Sequence, residues 1–179
     1  ADGSTPDATP DADAPACAST TCPEQSPVAA SGQSIVIIGV DHIENTVTIR
    51  NMTRGDVDLT GYQWCRRAGS YGAMPAETMS GGSTLTFTVA PLEPSDAVGL
   101  YRTGDFGNSS DVEAYVRYLT PGSAEQSGRV TEAGNNGRWN GGDNFVDLCE
   151  SATGFIAVGD VRDGANFAPY EVTGGCSGE

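Results

Sequence analysis

Three oxygen-bearing side chains in one Gly-rich loop could bind a metal ion. Asp105, Asn108 and Asp111 lie within residues 103–111, which read TGDFGNSSD. Calcium takes about six to eight oxygen ligands from carboxylates, amides and carbonyls. This loop, and a similar stretch at residues 160–166, predict calcium binding, although neither has the spacing of an EF-hand. The alternative, which we favour, is that these Asp, Asn and Gly residues only shape turns.

A tryptophan among hydrogen-bonding side chains could bind a sugar. Arg138, Trp139, Asn140 and Asp143 lie close together in the sequence, in a Gly-rich stretch. An aromatic face flanked by such groups would form a glycan-binding platform. The alternative, which we favour, is that Trp139 belongs to the hydrophobic core of the fold.

Catalytic side chains are scarce. His42 is the single histidine, and all nine basic residues are Arg, so there is no lysine for a Schiff base. No Gly-x-Ser-x-Gly elbow is present. A blue-copper site needs two histidines and a cysteine. A Cys/His pair that uses His42 is conceivable, but a surface histidine is the simpler interpretation. We therefore predict a protein that is not an enzyme and has no cofactor other than calcium.

Five cysteines, at positions 17, 22, 65, 149 and 176, predict disulfides in an oxidising compartment. No Cys-x-x-Cys pair or Cys/His cluster is present, so a zinc site is not expected, and spacing alone does not fix the connectivity. We predict that Cys17 pairs with Cys22 across a small loop. We also predict that Cys65 pairs with Cys149 inside the domain, with Cα atoms within ~7 Å. Cys176 is then left for a bond to another chain.

Residues 50–65 read RNMTRGDVDLTGYQWC and contain two short motifs that have functions in some other proteins. One is Arg54-Gly55-Asp56, which some adhesion receptors bind, and the other is a glycosylation acceptor pattern at Asn51. We interpret the stretch as a turn and a strand. Asp58 can accept bonds from backbone donors, and Gly61 allows a backbone angle that a side chain would forbid.

The composition excludes several classes of partner. The chain has 179 residues, a formal net charge of -15 and a pI near 4.1. Nucleic acids and anionic membrane surfaces both need a basic face, so neither is expected as a partner. No apolar run approaches the roughly 20 residues that span a bilayer. The 24 Gly and 10 Pro favour many turns and short strands over long helices.

The N-terminal residues differ from the rest of the chain. They are rich in Asp, Pro, Ala, Ser and Thr, with few large apolar side chains. Such a segment cannot bury enough surface to offset its ordering entropy, so we predict an extended tether over residues 1–33. It resembles the spacer that follows the lipidated cysteine of bacterial surface lipoproteins. This resemblance implies a lipid anchor upstream of the chain and a secreted or bacterial cell-surface location.

From residue 34 the pattern changes to short β-branched and alternating segments. Within residues 45–50, Val47 and Ile49 alternate with polar residues, as in a half-buried strand. Short strands between Gly-rich turns predict an all-β domain, a sandwich or a barrel, over residues 34–179. The predicted strands lie at residues 34–40, 45–50, 57–59, 61–65, 83–89, 97–101, 112–119, 144–149 and 154–158.

Two groups of residues follow the pattern of a known family. The first comprises residues 49–51, a turn through residues 54–55, and the run VDLTGY at residues 57–62. The second comprises Trp139, residues 142–143, and the strands at 145–148 and 154–158. Together they resemble the lamin tail domain over roughly residues 34–160, with a longer connection at 101–137. The resemblance implies an immunoglobulin-like β-sandwich, here with an extended N-terminal tether.

Lamin-tail-like modules generally serve as non-enzymatic attachment units, and the resemblance implies such a role. We predict a non-catalytic extracellular or cell-surface structural or adhesive module. The alternative is a calcium- or glycan-binding module. The predicted partner is a second copy of the chain. Residues 1–30 can span about 100 Å at roughly 3.3 Å per residue, and they could lie along a neighbour's sheet edge and build a filament.

Overall fold

The computed structural model describes residues 20–66, 70–124, 128–172 and 176, which contain twelve strands and one α-helix. The elements are β1 (Ile35–Asp41), β2 (Thr46–Asn51), β3 (Val57–Asp58), β4 (Gln63–Arg66), β5 (Ser70–Ala73), β6 (Thr78–Met79), β7 (Thr84–Thr88), β8 (Asp96–Tyr101), β9 (Val112–Leu119), α1 (Val130–Asn135), β10 (Val146–Asp147), β11 (Gly154–Ala157) and β12 (Phe167–Tyr170).

The strands form two five-stranded sheets that pack as a sandwich. Sheet 1 has the order β12-β11-β1-β2-β7, sheet 2 has the order β10-β9-β8-β4-β5, and β3 pairs with β6 in a small ladder. These pairings are antiparallel except that of β9 with β10. The predicted all-β class and sandwich architecture are therefore confirmed.

Alternating side chains explain the half-buried strands of sheet 1. On β2, Val47 and Ile49 are fully buried. On β7, exposed threonines alternate with Leu85 and Phe87, which belong to or pack against the core. A strand turns successive side chains to opposite faces, so this period of two places one face inward. In contrast, β1 is central and buried on both faces, which its β-branched run suits.

Aromatic rings join the two sheets across the core. The centroids of Tyr118 on β9 and Phe155 on β11 lie 5.4 Å apart. Phe155 also meets Phe167 of β12 edge-on at 5.5 Å. Trp139, which follows α1, meets Tyr115 edge-on at 5.8 Å. Tilted and edge-to-face pairs at these distances are the preferred aromatic packing, so the core fixes the chain segment around Trp139.

Asn51 gives the stretch at residues 50–65 a structural explanation. Its side chain is fully buried, at 0% exposure. The amide nitrogen donates to the carbonyl oxygens of Gly55 at 2.8 Å and Met79 at 2.9 Å. Residues 54–56, the adhesion tripeptide, lie exposed in the turn that these bonds hold. The acceptor pattern at Asn51 therefore marks a buried turn-holding amide, not an accessible sugar site.

The segment that follows this turn, residues 57–62, has the structure that its residue types predict. The backbone N–H of Thr60 donates to Oδ1 of Asp58 at 2.8 Å. Gly61 has a φ of +87°, which disfavours any residue with a side chain. Leu59 is fully buried, and Tyr62 packs against the core. The interpretation of this stretch as a piece of fold is confirmed.

Four elements lie outside the predicted strands: β5, β6, β12 and α1. Their local signals are weak, because β6 has two residues, β12 contains Pro169, and α1 contains Gly134. Tertiary contacts stabilise them instead. The ring of Trp64 lies against Gly72 of β5, where a Cβ would collide with it, and Ala133 of α1 is fully buried.

The last part of the predicted tether lies on its own domain. The backbone N–H of Ser26 donates to the carbonyl of Ala157 at 3.2 Å, and that of Val28 donates to Gly159 at 2.8 Å. This segment runs parallel to the chain that continues β11. The sequence predicts that the tether, residues 1–30, can reach a neighbour's sheet edge, and the structure instead pairs residues 26–28 with the same chain. Residues 1–19 of the tether lie outside the described residues.

The predicted disulfides are wrong. Cys22 bonds to Cys176, so Cys176 is not left over and Cys22 cannot pair with Cys17, which lies outside the described residues. Cys149 is disulfide-bonded, whereas Cys65 is a buried thiol. The reason is the strand order. Cys65 lies on β4 and Cys149 follows β10, three strand spacings away, or about 14 Å, which exceeds the reach of a disulfide.

A buried carboxylate fixes the start of β1. Glu113 of β9 has 0% exposure, and its Oε1 accepts from the backbone N–H groups of Ser34 at 2.7 Å and Ile35 at 2.9 Å. Its Oε2 accepts from Nε of Arg102 at 2.8 Å. Gln33 donates from Nε2 to the backbone carbonyl of Glu113 at 2.9 Å. Sheet 2 thus holds the first strand of sheet 1 through one side chain.

Candidate functional site

Three neighbouring clefts share lining residues on one side of the sandwich. The acidic cleft has a volume of about 300 Å³, the middle cleft about 190 Å³ and the histidine cleft about 470 Å³. Asp147 lines both the acidic and the middle cleft, and Thr120 and Pro121 line both the middle and the histidine cleft. We call these three clefts together the acidic rim. The acidic cleft is lined by Asp143, Asn144, Phe145, Asp147, Asp163, Gly164, Ala165 and Phe167.

Asn144 holds the two loops of the acidic cleft together. Its Nδ2 donates to the carbonyl of Arg162 at 2.8 Å, and its Oδ1 accepts from the N–H of Gly164 at 2.9 Å. The buried indole of Trp139 donates from Nε1 to the carbonyl of Asn144 at 3.0 Å. Gly164 lies so close to the carbonyl of Phe145 that a Cβ would overlap it. The side chain of Asn144 therefore bonds to the backbone of residues 162 and 164, and its own carbonyl bonds to Trp139, so these hydrogen bonds fix the backbone at the floor of the cleft.

Three carboxylates line the acidic cleft beside one guanidinium, since Arg117, whose Cζ lies 4.0 Å from the centroid of the Phe145 ring, donates from NH1 to the carbonyl of Gly142. Asp143 and Asp147 are exposed and Asp163 is half-buried. None of the three forms an ion pair with another residue in the described ranges. The nearby Arg162 binds Asp160 instead, with Nε 2.8 Å from Oδ1, and this hydrogen bond lowers the pKa of Asp160. The cleft thus presents three negative groups to solvent.

The predicted calcium loop uses its oxygens within itself. Oδ1 of Asn108 accepts from the backbone N–H of Ser110 at 3.1 Å and from its hydroxyl at 2.8 Å. The carboxylate of Asp111 accepts from the hydroxyl of Thr103. Asp105 is exposed. In the part of the chain that the structure describes, no three His, Cys, Asp or Glu side chains lie close enough to hold a metal. Calcium binding by this loop stays a prediction.

The predicted sugar platform is not formed. Trp139 has only 1% exposure, so its ring cannot stack on a ligand. Arg138 is buried, and its NH1 and NH2 donate to the carbonyls of Ser31 at 3.3 Å and Gly32 at 3.4 Å. Asn140 and Asp143, the other two platform residues, are exposed. The favoured alternative, a core role for Trp139, agrees with these contacts.

His42 lies in the histidine cleft, at the turn after β1. Its ring centroid is 6.0 Å from that of Tyr118. Burial lowers the pKa of His42, while the charge of neighbouring Asp41 opposes this shift. In the same cleft, Ser151 donates its hydroxyl hydrogen to Glu171 at 2.7 Å. The cleft is lined by His42, Ile43, Leu92, Pro94, Thr120, Pro121, Glu150, Ser151, Ala152 and Thr153.

We expect the protein to lose stability as pH falls through the titration of His42. The pKa of His42 in the folded chain lies below its ordinary value of 6.5. The unfolded chain therefore binds more protons in this range, so the contribution is full above about pH 7.5 and is lost toward the lower folded pKa. Urea unfolding at a series of pH values should show this slope.

The His42→Gln variant provides the control for this pH dependence. It should flatten the slope between about pH 7.5 and 5.5, because carboxylates titrate mainly below that window. Persistence of the wild-type slope in the variant would show that another group is responsible.

Sequence reasoning missed that Asp143, Asp147 and Asp163 line one cleft. The sequence pattern puts Asp143 with the sugar platform, Asp163 with the second calcium stretch, and Asp147 inside a strand. One signal was present, because an acidic residue between two buried apolar neighbours on a strand must point outward. Residues 158–166 complete the cleft by packing against β10. No local sequence pattern reveals this long-range contact.

Within the described residues, no helix is long and apolar enough to cross a membrane. No protein-family model matches the chain, and no curated protein matches it in sequence. The resemblance to the lamin tail domain thus rests on the motifs at residues 49–62 and 139–158, and it stays a prediction.

Proposed function

We propose that this protein is a non-catalytic interaction module of the cell exterior that binds a cationic partner along its acidic rim. The observation that carries the proposal is the acidic cleft, where Asp143, Asp147 and Asp163 line one space of about 300 Å³. Carboxylates bind guanidinium and ammonium groups through charge-assisted hydrogen bonds. The partner is a protein or peptide segment rich in Arg or Lys.

An organic cation suits the cleft better than a metal ion does. Calcium needs about six to eight oxygens within one coordination sphere. The carboxylates that line the cleft are not gathered closely enough for that, since the described residues contain no metal-holding cluster. A guanidinium is larger and reaches separated carboxylates through its five N–H donors. The lack of a metal-holding cluster among the described residues therefore favours side chains over ions.

One feature supports a location outside the cell, and a second fits the proposed partner. Cys22 is bonded to Cys176, and Cys149 is also disulfide-bonded, which suits an oxidising compartment. A net charge of -15 keeps the surface away from nucleic acids and anionic membranes, and attracts basic partners. The lamin-tail resemblance adds the expectation of a structural or adhesive role at a bacterial surface.

The non-catalytic part of the proposal is supported by the histidine cleft. There the hydroxyl hydrogen of Ser151 goes to Glu171, so that this hydroxyl does not rely on a histidine base. His42 itself packs beside Tyr118, and within the described residues no hydroxyl or thiol forms a hydrogen bond with its ring.

Replacing Asp143, Asp147 and Asp163 with Asn should weaken binding of an oligo-arginine peptide about tenfold. Exposed ion pairs contribute roughly 0.2–1 kcal/mol each, and about 1.4 kcal/mol corresponds to a factor of ten. Asparagine at position 163 keeps a side-chain oxygen, which can still accept from the backbone N–H of Ala165. Fluorescence anisotropy with a labelled peptide at physiological salt measures the affinity.

The matched control removes three carboxylates elsewhere on the surface, through Asp56→Asn, Glu77→Gln and Asp105→Asn. It makes the same change in net charge and should leave the affinity nearly unchanged. Equal weakening by both triple variants would contradict the proposal, because the attraction would then come from the overall charge. A calcium-dependent rise in melting temperature that only the rim variant loses would show a metal site instead.

A further inference from the structure

Within the described residues, strand β7 lies at the end of sheet 1 and pairs with β2 on one side only. The ladder runs without a register shift from the pair Thr46 and Thr88 to the pair Arg50 and Thr84. An edge strand presents a row of backbone N–H and C=O groups that a further strand can bond. A regular, uninterrupted edge is the best template for such pairing.

The bonds at both ends of β7 show which of its backbone groups are already used. The N–H of Asn51 donates to the carbonyl of Ser83, and the N–H of Val89 donates to the carbonyl of Asn45, both at 3.0 Å. In an antiparallel ladder every second residue exchanges its bonds with the partner strand. The odd-numbered residues from 83 to 89 therefore bond to β2.

The even-numbered residues of β7 point their backbone groups away from the sheet. These are Thr84, Thr86 and Thr88, whose side chains are exposed. Their N–H and C=O groups have no bond outside the β2 ladder within the described ranges. Three donors and three acceptors thus line the open edge in one row.

The other edges of the two sheets are less suited to a partner. On β12, Pro169 lacks the N–H that a ladder needs. The two-residue β10 is closely approached by residues 164–166, with Gly164 against the carbonyl of Phe145. On β5, Gly72 interrupts a strand of four residues. Only β7 combines length, regularity and an absence of Pro and Gly among these four edges.

The sequence around β7 also lacks the charged side chains that prevent an edge strand from pairing with another chain. Residues 80–91 read SGGSTLTFTVAP and contain no charged side chain, in a chain whose net charge is -15. Proteins commonly protect exposed edges with charged residues or bulges. A second copy could approach here without placing like charges opposite each other, whereas most of its remaining surface would repel it.

We propose that β7 of one chain pairs antiparallel with β7 of a second copy, about a two-fold axis through Thr86. Thr86 then faces Thr86, and each Thr84 faces a Thr88, so that all three outward residues exchange hydrogen bonds. Facing β-branched side chains pack well across strands. The pairing joins the two copies of sheet 1 into one continuous sheet, and it closes on itself as a dimer.

Charged substitutions at the axis test this pairing directly. Thr86→Lys or Thr86→Glu places two like charges opposite each other, and each variant alone should have a dimer Kd at least about tenfold above that of the wild type. An equimolar mixture of the two variants places Lys opposite Glu and should restore the dimer. Sedimentation velocity over about a hundredfold range of concentration measures each Kd.

The control is Thr78→Lys, at an exposed threonine on β6 outside sheet 1, which should leave the dimer intact. Thermal melting of each variant confirms that it is folded. A wild-type chain that stays monomeric throughout, or a dimer that neither Thr86 variant weakens, overturns the proposal. Loss of the dimer on deleting residues 1–19, with no effect at Thr86, also overturns it in favour of a tether contact.

Discussion

Replacing Cys22 and Cys176 with Ser should lower the free energy of unfolding by about 4 kcal/mol, because their bond restricts the unfolded chain. The two residues are separated by 154 positions, and the entropy lost by closing a loop grows with its length. The folded chain already holds their Cα atoms 5.6 Å apart, within the usual range for a disulfide. Urea unfolding of the oxidised proteins measures the loss.

The single variants Cys22→Ser and Cys176→Ser sharpen this test. Each removes the same bond, so each should lose as much stability as the double variant does. If the stability losses of the two single variants instead summed to the loss of the double variant, the two cysteines would act separately. A double variant within about 1 kcal/mol of the wild type would contradict a stabilising cross-link.

Glu113→Gln should cost about 3 kcal/mol of stability, because the carboxylate accepts bonds from three directions. Its Oε1 accepts from the N–H groups of Ser34 and Ile35, and its Oε2 accepts from Arg102. Glutamine replaces one acceptor with an NH₂ group, which then faces a donor inside the protein. The Arg102 side chain is 42% exposed and can regain water, so the loss should fall at the lower end for a buried pair.

The exposed Glu77→Gln variant is the matched control for Glu113. The same chemical change there should alter stability by less than about 0.5 kcal/mol. Equal effects at both positions would show that the change in net charge, and not the buried contacts, sets the stability. The comparison uses urea unfolding at constant pH and salt.

The strands that sequence predicts well are those whose residue types alternate or form a β-branched run. β2, β7 and β9 lie within one residue of their predicted ranges, because alternation or a β-branched run decides both their type and their extent. β5 and β12 could not be predicted in this way. Their Gly72 and Pro169 oppose strand formation locally, and only neighbouring strands and the Trp64 ring stabilise them.

The candidate site was less predictable than the fold, for a related reason. Asp143, Asp147 and Asp163 share a cleft because the chain returns against β10, and this depends on long-range contacts. The disulfide between Cys22 and Cys176 likewise depends on where both ends of the domain lie. Local patterns contain residue types and periods, but not which distant segments meet.

The cross-link between Cys22 and Cys176 also determines how the protein carries mechanical tension. When the chain is pulled from points before Cys22 and beyond Cys176, the force passes through the covalent S–S bond and bypasses the strands. The 154-residue span cannot then be drawn out into its extended length of about 500 Å. Under such a load the domain stays folded and short, whereas the reduced protein would unravel and lengthen.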